Sequence, residues 1–245
     1  MKSLLSNIRG FTLIELVVVI LVIGVIGTIA ALRMQESIAT ARYEQTKQEL
    51  DQLAFAIAGN PAVNSRGSRT DFGFVGDNGT LPTTLDDLVQ NQGGWATWNG
   101  PYIEAGPNGN DFKRDAWNVN YTYADTLIRS TGSGSDIDKL VATSSAALFS
   151  NNVTGYIVDA DMEPPTIGYT DSVTVVLTYP DGSGGYAQPS GHPDAYGRFN
   201  YGAVPVGYHT LWVIHLPTAD TMMYTVTVYP DHDVTLDIVF PADLW

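Results

Sequence analysis

The sequence predicts an α+β protein in which a long N-terminal helix packs on a small antiparallel sheet and an all-β sandwich follows. Three observations carry this. No proline occurs before position 61, and apolar residues recur there at helical spacing. Residues 61–152 mix loop signals with short strand-like runs. From residue 153 onward, alternating runs are separated by turn signals, as in a sandwich.

The helix comes first. Residues 11–32 hold 22 positions with a single charge, Glu15. About 20 apolar residues span a bilayer. The preceding segment, 1–10, carries Lys2 and Arg9 and no acid, so it is expected to stay cytoplasmic. No small-residue cleavage site follows the apolar run. Instead Met34, Ile38, Ala41, Leu50, Leu53 and Ile57 continue the helical pattern, and Asn60-Pro61 is the expected stop. The expectation is one helix of about 48 residues, roughly 70 Å long. Gly24 and Gly27 would permit close helix approach or local unwinding.

Glu15 is the anomaly. A carboxylate at membrane depth costs about 2.5–3.5 kcal/mol on insertion scales. Either it reaches the interface from its place near the helix start, or an assembly supplies a positive partner.

In the middle segment, Thr84 and Asp87 are spaced to cap a short helix. Tyr121, Tyr123 and residues 126–128 suggest short strands. In the last segment, strands are expected at 153–158, 173–179, 209–216, 223–229 and 234–240, with turns at Asp181-Gly182, Gly184-Gly185, Pro217 and Pro230-Asp231.

Charge limits the function classes. The chain carries −14, which argues against nucleic acid as a partner. One base, Arg198, and eleven acids lie between Val153 and Trp245, so that segment holds −10 of the total. It is either a solvated, solubilising surface or a binder of divalent ions. With no cysteine, disulfides and thiol chemistry are excluded. His209 and His215 lie six residues apart on one expected strand, roughly 20 Å, too far for one metal. Asp159, Asp161 and Glu163 fall in one expected turn and Asp231-His232-Asp233 in another, where acids are expected to be solvated. No nucleophile elbow, zinc-helix or phosphate-loop motif occurs, and no enzyme is expected.

Gly10-Phe11-Thr12-Leu13-Ile14-Glu15 resembles the class III signal of type IV pilins and type II secretion pseudopilins. The resemblance implies cleavage between Gly10 and Phe11 by a prepilin peptidase, which methylates the new N-terminal Phe11. It also implies an assembly role for Glu15, paired with the α-amino group of Phe11 on a neighbouring subunit. "NGTLPTT" (78–84), "WNGPYI" (98–103) and "RDAWNVNYTY" (114–123) are similar, in this order, to segments of the major pseudopilin of type II secretion systems. This chain departs with Ala116 for proline and Asn118 for glycine. In that family a calcium loop follows. Here Asp136 and Asp138 remain, while Ser133 stands where the first aspartate is expected, so calcium is the candidate ion. "GRFNYGAVPVGYHTL" (197–211) resembles a hairpin of carboxypeptidase-regulatory-like and transthyretin-like sandwich domains.

The expected organisation is a leader (1–10), an N-terminal helix (11–60, with 11–32 as membrane anchor and filament core), a pilin-like globular part (61–152) and a β-sandwich (153–245). The expected function is a filament subunit, most closely a type II secretion pseudopilin that forms a homopolymer. Its partners would be the prepilin peptidase, an inner-membrane assembly platform and the membrane. Before assembly it would sit in the inner membrane by one helix with its globular parts periplasmic. The alternatives are a surface pilin with an adhesive or protective outer domain, in an extracellular filament, and a membrane-tethered binding domain that never polymerises.

Overall fold

The computed structural model describes residues 12–245. It has one long N-terminal helix followed by several sheets, an α+β architecture with a β-rich C-terminal part. By contacts the chain forms two units, residues up to Gln45 and residues Thr46–Trp245.

Helix α1 spans Leu13–Ala58 without a break at Gly24 or Gly27. Thr28 Oγ1 donates to the Gly24 carbonyl at 2.9 Å, and a Cβ at either glycine would meet open space. Of the two roles these glycines would permit, close helix approach and local unwinding, the described helix does not show unwinding. The helix ends where Gly59 takes a left-handed φ of 79° and its N–H bonds the Phe55 carbonyl at 2.7 Å. This is a C-terminal cap that a side chain would resist, since a Cβ there would strike the Asp71 backbone. The Arg69 guanidinium completes the end by donating to the carbonyls of Ala58 and Gly59.

The strands β1 (Asn64–Ser65) and β2 (Ser68–Arg69) form a small hairpin, followed by helix α2 (Gly73–Asn78). The strands β3 (Thr122–Ala124), β4 (Leu127–Ser130) and β5 (Ile137–Leu140) form an antiparallel sheet in the order β3-β4-β5. The last turns of α1 bury Leu50, Leu53 and Ile57 in a core with Phe74, Leu88, Tyr121 and Ile128. Thr46 Oγ1 accepts from Ala116 N–H, Glu49 accepts from the Tyr121 hydroxyl at 2.7 Å, and Lys139 pairs with Asp51 at 2.6 Å.

Helix α3 (Ser145–Phe149) leads into the sandwich. Its strands are β6 (Asn151–Val158), β7 (Val173–Pro180), β8 (Tyr186–Ala187), β9 (Ser190–Gly191), β10 (Arg198–Val204), β11 (Gly207–His215), β12 (Asp220–Val228) and β13 (Val234–Val239). One sheet has the order β10-β6-β13, with β13 parallel to β6. The other has the order β12-β11-β7-β8, with β9 also on β7. Val153, Ile157, Val175, Leu177, Leu211, Val213, Val226 and Phe240 fill the space between them.

One expectation is corrected here. The segment 197–211 is not a hairpin, because β10 pairs with β6 while β11 pairs with β7 and β12. The chain crosses between sheets at Pro205-Val206. Proline offers no N–H to a ladder, and the Val206 N–H is taken by the Leu148 carbonyl at 2.8 Å.

The sandwich and the smaller sheet share one compact unit. Val206 is buried in the first core, Phe72 meets Tyr208 edge-on at 5.6 Å, and Tyr229 accepts from the Arg69 N–H.

Candidate functional site

The start of α1 is built by two side chains. Thr12 precedes the first helical residue, and its Oγ1 accepts the Glu15 N–H at 3.3 Å. Glu15 Oε2 in turn accepts from the Thr12 N–H at 3.4 Å and the Thr12 hydroxyl at 3.5 Å. This is a reciprocal capping box, satisfying donors that a helix N-terminus leaves free. The carboxylate also lies at the positive end of the helix dipole. The sequence carries this cap as Thr-x-x-Glu over residues 12–15. Gly10 and Phe11 lie outside the described residues.

Beyond Glu15, every residue of α1 up to Gln45 is exposed. The apolar stretch includes Leu16, Ile20, Ile23, Ile26, Ile29 and Leu32, each more than half exposed. It is long and apolar enough to cross a membrane. A helix that is apolar all round is stable only when lipid or neighbouring chains surround it.

The three candidate metal residues have other partners. Arg129 reaches Asp138 through Nε and Nη2 at 2.7 and 2.8 Å, and Asp136 through Nη1 at 2.8 Å. The hydrogen bond from Arg129 holds the Asp138 carboxyl below its usual range. Ser133 Oγ donates to the Ser135 carbonyl. The same loop is anchored by a residue the sequence reading did not single out. Asp115, buried, accepts from the Trp117 and Val119 N–H groups through Oδ1, and from the Ser130 hydroxyl and Gly132 N–H through Oδ2. Asn118, standing where the resembled family has glycine, has a left-handed φ of 65°, which asparagine tolerates. Among the described residues no group of three histidine, aspartate or glutamate side chains is arranged to hold a metal.

The acids in turns are likewise engaged. Asp159 is fully buried rather than solvated, and its Oδ1 accepts from the Asp161 and Glu163 N–H groups. Asp231 accepts from the Thr143 hydroxyl, and Asp233 accepts from the Asn152 N–H. His209 and His215 both face the sandwich interior. His209 Nε2 donates to the Pro205 carbonyl at 2.6 Å, and Nδ1 has no partner among the described residues.

The Trp98–Tyr102 segment forms a further polar cluster. Trp98 Nε1 donates to the Asp87 carbonyl at 2.9 Å. The Tyr102 hydroxyl accepts from the Asn99 N–H and Asn78 Nδ2 and donates to Asp77 Oδ2 at 2.8 Å. Burial pushes the Asp77 carboxyl up, against the opposing effect of the Tyr102 hydrogen bond. Asp87 accepts from the Thr83 and Thr84 N–H groups, the cap expected for the short 3-10 helix Leu85–Leu88.

The chain matches a known family model at its N-terminus. Residues 5–31 match the prokaryotic N-terminal methylation motif. A pilin-type motif that extends into an apolar helix supports membrane anchoring before assembly, processing by a prepilin peptidase and polymerisation into a pilus-like filament. Such subunits are typically structural rather than enzymatic. No curated protein matches the chain.

Among solved structures, the Bacillus anthracis TIE protein is 12% identical over 49% of this chain and 23% of its own, with a TM-score of 0.31. A DUF3823 family protein from Parabacteroides merdae is 16% identical over 38% and 46%, with a TM-score of 0.30. BcpA, the major pilin subunit of Bacillus cereus, is 13% identical over 51% and 42%, with a TM-score of 0.31. This chain spans less than half the length of each. At these scores none of the three bears on its architecture or function.

Proposed function

We propose that this chain is a structural subunit of a type IV pilus-like filament, of the type II secretion pseudopilin kind, which polymerises through its N-terminal helix. The observation that carries the reading is the methylation motif over residues 5–31 running into a helix whose apolar stretch is exposed on every side. Lipid surrounds that stretch before assembly and neighbouring helices surround it afterwards. Glu15 then meets the α-amino group of a neighbour's Phe11. Each buried charge costs less when paired. A head-to-tail contact that does not close builds a fibre.

The sandwich from Asn151 to Val239 favours a second reading, a surface pilin that displays this module along an extracellular filament. Intact mass of the mature chain tests the shared part of both. The expected product begins at methylated Phe11, and retention of Met1 sinks both. Electron microscopy of sheared cell surfaces separates them, because only the surface pilin leaves long fibres outside the cell.

A further inference from the structure

We propose that a cleft between α2, the Trp98–Asn99 turn and the sandwich is a binding site for a neutral pyranose unit of a glycan. The cleft has a volume of about 380 Å³ and is lined by Phe72, Asp77, Trp98, Asn99, Tyr186 and Tyr208 among others. That volume lies at the lower end of the range of small-ligand sites, about 300–1,000 Å³, and the lining is mixed, with polar groups set among aromatic rings.

Its walls are preorganised. Trp98 is tethered by its indole N–H to the Asp87 carbonyl, and Tyr208 rests edge-on against Phe72. Yet Tyr186 is 62% exposed and Tyr208 41%. These two exposed tyrosines line the cleft and present an apolar ring and a polar tip to whatever enters it.

The polar groups define the occupant. Asp77 is oriented by the Tyr102 hydroxyl on Oδ2, and its Oδ1 has no hydrogen-bond partner among the described residues. That oxygen is open to accept a hydrogen bond, from solvent or from a ligand hydroxyl. The Asn99 side chain offers a donor and an acceptor. No lysine or arginine lines the cleft, which argues against an anion. The ligand must therefore donate hydroxyl protons to Asp77, exchange hydrogen bonds with an amide, and lay a flat C–H face on aromatic rings. A pyranose does all three. An ammonium ion satisfies only the carboxylate and the rings. The site is independent of the filament reading, since a chain that never polymerised would keep the cleft.

The test uses the full chain in a polyoxyethylene detergent, which carries no sugar. Methyl glycosides of glucose, galactose, mannose and N-acetylglucosamine are titrated by calorimetry and by saturation-transfer NMR, with choline chloride in parallel. At least one glycoside is expected to bind saturably. Asp77→Asn, which keeps an acceptor for Tyr102, should weaken it about tenfold. Tyr186→Ala should weaken it roughly three- to tenfold. Tyr196→Ala, an exposed tyrosine that does not line the cleft, should leave it unchanged, and melting curves should confirm that all three variants fold. No binding by any of the four, binding that survives both cleft substitutions, or binding of choline alone would overturn the proposal.

Discussion

Thr12 and Glu15 cap one another across the first turn of α1, so the one carboxylate in the apolar stretch has a local structural role besides any role between subunits. The two roles separate by substitution. Glu15→Gln keeps an acceptor for the Thr12 N–H and removes the charge, Glu15→Leu removes both, and Thr12→Ala weakens only the cap, by about 0.5–2 kcal/mol. Filament yield against membrane-pool level is the measurement. Both Glu15 variants are expected to insert and be cleaved but assemble poorly, while Thr12→Ala assembles. Normal filaments from Glu15→Gln would reduce Glu15 to a helix cap.

Asp115 is the hub of the loop that runs from the 3-10 turn Asp111–Lys113 to β3, and also of the turn after β4. Asp115→Ala strands four donors, one of them the hydroxyl of fully buried Ser130. A loss of at least about 2 kcal/mol is expected. For a unit of this size that lowers Tm by roughly 4–8 °C. Asp115→Asn, which retains one acceptor oxygen, should fall between the variant and the parent.

Calcium at Asp136 and Asp138 has to displace Arg129, which bonds both carboxylates. A ligand that binds only the folded chain raises Tm. The rise on adding calcium is therefore expected to be larger in Arg129→Ala than in the parent, and to vanish in Arg129→Ala combined with Asp136→Ala. An equal rise in all three would place the ion elsewhere.

His209 confers a pH dependence. Burial lowers its pKa, so the folded chain holds a neutral imidazole. As pH falls through about 6.5, the unfolded chain takes up a proton that the folded chain resists. The stability tied to His209 is thus complete above that value and is lost below it. His209→Gln preserves a donor to the Pro205 carbonyl and does not titrate. Its Tm should lie below the parent's at roughly pH 8, with the gap closing toward roughly pH 5. A gap that stays constant would show that protonation of this ring is not coupled to folding.

Periodicity made the large elements legible. The run from Leu13 to Ala58 and the strands around Val153, Val173, His209, Met223 and Val234 all fall where spacing and turn residues place them. Pairing was less legible. Alternation marks 209–216 as a strand but does not mark 198–204, which the fold makes one, and it is silent on which sheet each joins. That depends on Val206 fitting the first core, a tertiary fact. The polar clusters were hardest to see. Asp115, Asp159 and Asp77 resemble ordinary loop acids in sequence, and only the fold shows which N–H groups converge on them. Arg129 could not be foreseen as the counter-charge of Asp136 and Asp138, because that contact depends on the register of β4 against β5.

The position of β6 bears on how the chain is made. It is the middle strand of its sheet, yet both its neighbours come later in the sequence, and the parallel partner β13 is the last strand among the described residues. Val153 waits for Val234. If the C-terminal part is delivered across a membrane progressively, β6 emerges with two bare edges and stays half-bare until the final strand arrives. Such an edge invites pairing with another chain. With delivery of that kind, export should depend on a holding factor at the exit side, and a nascent chain stopped before residue 234 should be captured by it or aggregate.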